Sequence, residues 1–535
     1  MKRILTLSLL LAGLVCRAEV SVKWISPLPE NSAWRGEKVS AVIGISSSAP
    51  VKDLSLKSGD LVSGASVIGA SQVSLNFLSY ITGDELLEQY NQCGARDTVN
   101  YRAISVADMI DDRLSVSLGP AQEQPVWMSV SIPCDAAPGR YKGRLRICAG
   151  EKELASLEYS VKVCDRVLPP LSESPFHLDL WQNPYAVARY HNVPLWSREH
   201  FKYMEPVMRM LADAGQKVIT ATIMDRPWNG QTEDPFGPMV TKIRRIDGSW
   251  LYDYTVFDKW VEFMSSLGID GQINCYSLIP WALTFDFFDQ ATDSKSYVYA
   301  EPGSVQYEEY WGGFIKDFAA HLKAKGWFGK TYLAMDERPE KSMTEALRLI
   351  KKVEPDFKVA LAGNYHESIA DEIDDLCIAF GAEYPEGVVD SRRARGQIST
   401  YYTCCSEKYP NTFLACNPLE ASWLPLVALT RDVDGYLRWA FNSWTENPTK
   451  DARFRTWAAG DCYMVYPGGL SSVRFERLKE GLQDYQKASI LLEEWGRCSR
   501  KSAALEKALE MFTKEELEAN GPERALKALR KAMDR

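Results

Sequence analysis

The spacing of apolar and polar residues divides the chain into two parts with different rhythms. Between residue 19 and about residue 165, short apolar runs such as Val39–Ile45 and Tyr141–Ile147 are separated by clusters of Gly, Pro, Ser and Asp. Runs of this length between turn-forming residues are typical of β-strands. Because no helical segments lie between them, we predict an all-β sandwich over residues 19–165.

Strand-like and helix-like segments alternate from Phe176 onward, as in the helical pattern Val305–Lys325 that leads into an apolar run. Eight segments have the length and composition of buried strands: Phe176–Leu180, Val218–Ile223, Gln272–Ile279, Thr331–Met335, Lys358–Ala362, Leu376–Phe380, Ile398–Thr403 and Tyr436–Phe441. Eight such units with helices between most of them favour a (β/α)8 barrel of the TIM type over residues 166–497. No Gly-x-Gly-x-x-Gly motif supports a dinucleotide-binding fold instead.

The two ends of the chain have compositions of their own. Lys2 and Arg3 precede a mostly apolar run that ends near Ala18, which is the pattern of a secretory signal peptide over residues 1–18. No later stretch is long and apolar enough for a transmembrane helix. We therefore expect an exported protein of bacterial type, in the periplasm, at the cell surface or secreted. Residues 498–535 are charged and rich in Ala and Leu, and we predict a helical C-terminal extension there.

Composition adds mainly exclusions to this outline. The 535 residues contain 62 Lys and Arg against 71 Asp and Glu, and a formal net charge of −9 lacks the electrostatic footprint of a nucleic-acid-binding protein. The five His form no His-x-x-x-His pair, the 12 Cys form no Cys-x-x-Cys pair, and no phosphate-binding loop is present. We therefore predict neither a metal nor an organic cofactor. Carboxylate and aromatic side chains remain plentiful, and they are the usual means by which proteins bind and cleave sugars.

The pair Asp336-Glu337 is the most informative candidate for catalysis, because barrel enzymes carry their catalytic residues at the C-terminal ends of strands. An apolar run leads directly into the pair. Since side chains alternate along a strand, Ala334 inside the barrel predicts Asp336 at its mouth, with Glu337 just beyond the strand. A helix cap or a salt bridge at the rim remains the alternative explanation for the two acids.

Further side chains at the same strand ends are candidates for binding a sugar: Trp181, Asn364, His366, Tyr401, Tyr402, Asn442 and Trp444, with Trp228 and Trp281 as further stacking candidates. Each tryptophan has core packing as its alternative, and His366 has the capping of a helix. Because neighbours in a strand point to opposite sides, one of the two adjacent tyrosines is expected to face away from the site.

Two groups of motifs point to a known family. The first is Leu333-Ala334-Met335-Asp336-Glu337 with Pro339 nearby, and the second runs through Gly460-Asp461, Tyr466-Pro467-Gly468, Ser472–Glu476 and Leu478–Tyr485. With these motifs the sequence resembles glycoside hydrolase family 123, the retaining β-N-acetylgalactosaminidases. The resemblance extends over the sandwich, the barrel and the helix that follows.

The resemblance implies a glycan substrate with terminal β-N-acetylgalactosamine and substrate-assisted catalysis, in which the sugar's own acetamido oxygen attacks the anomeric carbon. It assigns Glu337 as general acid and then base, and Asp336 as the group that orients the acetamido N–H and stabilises the oxazolinium-like intermediate. Tyr401 or Tyr402 would donate a hydrogen bond to the acetamido oxygen. Three alternatives remain open: another β-N-acetylhexosamine, a carboxylate nucleophile such as Glu383, and a non-catalytic glycan-binding protein.

Overall fold

The computed structural model describes residues 19–26, 31–86 and 101–534, so the predicted signal peptide lies outside the described residues. The chain forms two compact units. One contains the residues up to Leu78 together with Asp111–Val167, and the other contains Ser79–Ile110 together with the residues from Leu168 onward. The described residues between Ser79 and Ile110 therefore group with the barrel strands in the second unit.

The first unit is rich in strands, as the apolar alternation predicts. The strands of the N-terminal region are β1 (Val20–Ser26), β2 (Asn31–Arg35), β3 (Lys38–Ser47), β4 (Val51–Ser58), β5 (Leu61–Ser63), β6 (Ser66–Ile68), β7 (Val73–Asp84), β8 (Ala103–Ile110), β9 (Ser115–Leu118), β10 (Glu123–Ser131), β11 (Gly139–Ala149) and β12 (Lys152–Val167). The first unit contains two sheets, with the orders β1-β3-β10-β7 and β2-β12-β11-β4-β9. Its core is aliphatic, and includes Ile43, Val126, Leu145 and Val161.

The second unit contains eight strands that pair in parallel and in chain order. The strands of this region are β13 (His177–Leu180), β14 (Val218–Thr222), β15 (Thr241–Arg244), β16 (Trp250–Asp253), β17 (Gln272–Tyr276), β18 (Thr284–Asp289), β19 (Ser294–Tyr299), β20 (Thr331–Met335), β21 (Lys358–Gly363), β22 (Asp375–Ala379), β23 (Ile398–Tyr402) and β24 (Gly435–Arg438). A parallel bridge between Leu178 and Gln216 joins β13 to the residues before β14, so the eight-stranded sheet is barrel-like. All eight predicted strands are present, each within three residues of its predicted ends.

Helices follow most of the barrel strands. They are α1 (Pro184–His191), α2 (Arg198–Asp213), α3 (Thr255–Ser266), α4 (Val305–Lys325), α5 (Glu340–Val353), α6 (Val388–Ala394), α7 (Glu420–Thr430), α8 (Val473–Trp495), α9 (Ala503–Leu509), α10 (Lys514–Asn520) and α11 (Glu523–Met533). Serine caps explain several starts, since Ser304 accepts from the N–H of Tyr307 and Ser472 from that of Phe475. Between β21 and β22 the structure has only a 3-10 turn, Ala370–Glu372. The last three helices form the predicted C-terminal extension.

A four-stranded sheet, which we call the inserted sheet, was not predicted from the sequence. It consists of β15, β16, β18 and β19 in the order β16-β15-β18-β19, and its strands come from the segments that follow β14 and β17. Phe285 of this sheet packs edge-on against Trp311 of α4, with the ring centroids 5.4 Å apart. The inserted sheet thus rests on the helix that leads into β20.

A single buried guanidinium holds several segments of the second unit together. Arg474, at the start of α8, lies 3.0 Å from a carboxylate oxygen of Asp108 and donates to the carbonyl oxygens of Thr412, Gly460 and Tyr463. A charge this deeply buried is stable only when its donors are paired. Gly460 and Arg474, which belong to the second group of family motifs, therefore fix the path of the chain after β24.

Candidate active site

The acidic pair Asp336-Glu337 lies directly after β20, as predicted. All five residues of β20 are buried, whereas Asp336 is half-buried and Glu337 is exposed. Ala334 is completely buried, so the small side chain predicted inside the barrel is found there. The change from buried to exposed within two residues places both carboxylates at the open end of the strand.

Two tryptophan side chains donate hydrogen bonds to Asp336. The indole nitrogen Nε1 of Trp228 lies 2.6 Å from Oδ2, and that of Trp281 lies 3.1 Å from Oδ2 and 3.3 Å from Oδ1. Burial raises the pKa of Asp336 to about 7, the two indole donors oppose this rise, and the nearby Glu337 charge adds to it. The carboxyl group is therefore poised between its protonated and ionised forms near neutral pH.

Glu337 has a different partner. The hydroxyl of Tyr402, the last residue of β23, donates to Oε1 of Glu337. Burial raises the pKa of Tyr402 well above its usual value, so the phenol keeps its proton and remains a donor. Tyr401 points the other way and donates to the carbonyl oxygen of Leu424 at 2.6 Å. The prediction that one of the two tyrosines faces away is confirmed.

The pair opens into a cavity of about 400 Å³ with largely aromatic walls, formed by Trp181, Trp228, Trp281, Tyr402, Trp439 and Trp457. Trp181 stacks on Trp228 with the ring centroids 4.8 Å apart and the planes 28° from parallel. Among the described residues, the carboxylates that line this cavity are Asp336 and Glu337. Flat apolar walls around a few polar groups are the usual form of a small-ligand site.

Sequence reasoning missed one wall of the cavity. Trp439 and Trp457 face each other edge-to-face with the ring centroids 5.8 Å apart. Nε1 of Trp439 lies 3.0 Å from Asp461, which also binds the fully buried Arg438 at 2.6 Å. The position of Trp439, directly after β24, was the available signal, because the mouth of a barrel begins where its strands end.

Two of the predicted sugar-binding residues are not among those that line the described cavity. Asn364 is exposed after β21 and does not line the cavity. His366 pairs with a carboxylate instead, since its Nδ1 lies 3.5 Å from Oε2 of Glu340. His366 thus contacts the first residue of α5.

Two further candidates are buried after β24. Asn442 exchanges hydrogen bonds of 2.9 Å with the backbone of Asn183 and thereby joins the ends of the first and last barrel strands. Trp444 is completely buried and donates to the carbonyl oxygen of Val465 at 2.8 Å. Core packing, which was the alternative for Trp444, is its observed environment.

Neither a metal cluster nor a membrane-spanning helix is found in the part of the chain that the structure describes. No group of three His, Cys, Asp or Glu side chains there is arranged to hold a metal ion. No helix there is both long and apolar enough to cross a bilayer. Glu383, the alternative nucleophile, lines a separate cavity with Tyr384 and Arg431.

Family models match most of the described chain. The model for the catalytic domain of glycoside hydrolase 123 matches residues 181–491, and that for the glycoside hydrolase 123 N-terminal domain matches residues 25–149. No curated protein matches the chain.

A solved structure agrees with the family models. The chain is similar to a family 123 glycoside hydrolase from Clostridium perfringens, studied for glycolipid glycan hydrolysis, with 25% identity, a TM-score of 0.86, and coverage of 96% of this chain and 98% of that one. A family 39 glycoside hydrolase from Bacteroides cellulosilyticus WH2 matches with 10% identity, a TM-score of 0.35, and coverage of 86% and 82%.

Proposed function

Because the chain belongs to glycoside hydrolase family 123, we propose that it removes β-linked N-acetylgalactosamine from glycans by a retaining, substrate-assisted mechanism. The observation that carries the proposal is the acidic pair itself. Its two carboxylates share one aromatic cavity and have separate hydrogen-bond donors, two indoles on Asp336 and a phenol on Glu337. Two acids in unlike surroundings suit two unlike tasks.

Asp336 is the group that we propose to hold the acetamido substituent. Its ionised form accepts the acetamido N–H and faces the positive charge that develops on the oxazolinium-like intermediate. Because Trp228 and Trp281 fix the carboxylate from the protein side, little reorganisation is needed when that charge forms. The positive charge that develops on the intermediate favours the ionised form of Asp336 and offsets the rise that burial causes in its pKa.

Glu337 is the proposed general acid, and after the first step the general base. It protonates the leaving glycosidic oxygen, and the resulting carboxylate then takes a proton from the water that opens the intermediate. Its exposure at the cavity mouth gives it access both to the departing glycan and to water. Tyr402 restrains Glu337 through its hydroxyl.

The surroundings of the pair also favour the sugar's acetamido group as the nucleophile. A conventional retaining glycosidase uses a second carboxylate about 5–5.5 Å from the acid. In the described part of the cavity the pair has no further carboxylate beside it, and Glu383 lies in another cavity. The proposal therefore needs no nucleophile from the protein.

The decisive experiment measures hydrolysis of paired aryl β-glycosides of N-acetylgalactosamine and N-acetylglucosamine. We expect turnover of the first substrate, and a loss of at least about 100-fold in kcat for Glu337→Gln. Glu383→Gln is the matched control and should retain wild-type activity. A preference for the N-acetylglucosamine substrate would mean that the enzyme acts on another β-N-acetylhexosamine. Full activity of Glu337→Gln would refute the role of Glu337 as the general acid.

We also propose that the protein is exported, on the strength of the basic and apolar pattern of residues 1–18. Cell fractionation followed by N-terminal sequencing tests this. A mature chain that begins at Glu19 outside the cytoplasm supports export, and an intact N-terminus in the cytoplasm refutes it.

A further inference from the structure

The inserted sheet has two faces of different character. Residues directly opposite each other on antiparallel strands point to the same side. Phe285 of β18 packs on α4, whereas Asp286 is paired with Tyr297 and therefore shares the other face, which we call the outer face. Tyr299, two residues further along β19, lies on the outer face as well.

The outer face contacts a loop that leads into a wall of the active-site cavity. Oδ1 of Asp286 accepts the backbone N–H of Asp225 at 2.9 Å, and the backbone N–H of Trp281 donates to the carbonyl oxygen of Pro227 at 2.9 Å. The loop that contains Asp225 and Pro227 continues into Trp228, whose indole binds the acidic pair. The outer face and the cavity wall are therefore parts of one continuous surface.

Two tyrosine rings stand exposed on this surface. Tyr297 is 55% exposed and Tyr299 is 63% exposed. Nζ of Lys295 lies 5.3 Å from the centroid of the Tyr297 ring and is itself held by Asp225 at 2.6 Å, while the hydroxyl of Tyr299 donates to Glu301. The rings are thus held in position with accessible faces, which is the arrangement that stacks against the apolar side of a sugar.

We propose that Tyr299 and Tyr297 bind the aglycone part of the glycan, the sugars on the far side of the cleaved bond. This inference rests on the proposed function and adds a second region of substrate contact to it. Trp281, 37% exposed, lies between this region and Asp336. Thr284, which pairs with Tyr299, is three residues from Trp281. The chain turns at these residues, so the two lie at most about 10 Å apart, and Tyr297 is about 7 Å beyond Tyr299 along β19. A short oligosaccharide bridges that distance.

The test compares a short and a long substrate: an aryl β-N-acetylgalactosaminide, and a neutral oligosaccharide with the same terminal sugar. In the double variant Tyr297→Ala/Tyr299→Ala we expect KM for the oligosaccharide to rise about tenfold, since each exposed aromatic anchor contributes several-fold to affinity. We expect kcat for the oligosaccharide, and both kcat and KM for the aryl substrate, to stay unchanged. Tyr297→Phe/Tyr299→Phe keeps the rings and should remain within about twofold of the wild type. Leu251→Ala, in the opposite edge strand of the same sheet, is the control for general damage to the sheet.

An unchanged KM for the oligosaccharide would overturn the inference, and so would an equal loss on both substrates, which indicates a structural role. Failure of the proposed function gives a different result. The wild-type protein would then release no N-acetylgalactosamine from either substrate, and both proposals would fall together.

Discussion

Removing the indole N–H of Trp281 should shift the pH dependence of the enzyme in a defined direction. Trp281→Phe keeps an aromatic ring in the cavity wall but deletes a donor to both oxygens of Asp336. That donor opposes the rise that burial causes in the pKa of Asp336, which stands at about 7. Without it the ionised form becomes less stable, and the pKa rises further.

The size of the shift follows from the strength of the lost hydrogen bond. A hydrogen bond to a charged group contributes about 1.5–3 kcal/mol, and one pKa unit corresponds to about 1.4 kcal/mol. Since Asp336 is half-buried and Trp281 partly exposed, water replaces part of the lost interaction, and the lower end of the range applies. We therefore expect the pKa of Asp336 to rise by about one unit.

The assay is the pH profile of kcat/KM for an aryl β-N-acetylgalactosaminide, which reports the ionisation of the free enzyme. Because Asp336 acts as the anion in the proposed mechanism, we expect activity to fall as the pH drops below its pKa. The acidic limb of Trp281→Phe should move up by about one unit, with roughly tenfold lower activity at pH 6 and less than about twofold loss above pH 8. Trp439→Phe is the control, because the Trp439 indole donates to Asp461 instead. An acidic limb at the wild-type pH would refute the reasoning.

Three further predictions follow from other contacts. The native-state pKa of Asp336 is raised from 3.8 to about 7, so its ionisation costs stability progressively above pH 4. Urea titrations should therefore show a free energy of unfolding about 2 kcal/mol higher for Asp336→Asn than for the wild type at pH 8, and no difference at pH 4. Tyr402→Phe removes the donor to Glu337 and should lower kcat about tenfold with little change in KM; a change in KM alone would contradict this. Asp461→Ala leaves the buried Arg438 guanidinium without its carboxylate partner and should destabilise the protein by about 3–5 kcal/mol in thermal unfolding. A wild-type Tm would show that this ion pair does not contribute to stability.

The sequence predicted the barrel strands well because each is a short, largely buried run between turn signals. β20 is an example, and its end located Asp336 and Glu337 without knowledge of the fold. The alternation rule also separated Tyr401 from Tyr402 correctly. In all these cases the information is local, since burial of a strand and the direction of its side chains depend on the residues of the strand itself.

What the sequence did not predict depends on contacts between distant segments. Trp228 and Trp281 were candidates for stacking on a sugar, but their hydrogen bonds to Asp336 span 108 and 55 residues. The inserted sheet is divided between two segments of the chain, so no short window contains the pairing of β15 with β18. Trp439 owes its position to a carboxylate 22 residues further along. Periodicity contains no signal for such pairings.

The Arg474–Asp108 contact has a consequence for how the gene can be divided. Asp108 precedes β9, β10, β11 and β12, the last four strands of the first unit, yet it belongs to the second unit. There it accepts from Arg474 and, at 2.6 Å, from the hydroxyl of Tyr466. A truncated chain that starts at Leu168 would keep the acidic pair but lose the counter-ion of a buried guanidinium. Such a chain should therefore be less stable than the full chain, and the barrel is best expressed together with the segment that contains Asp108.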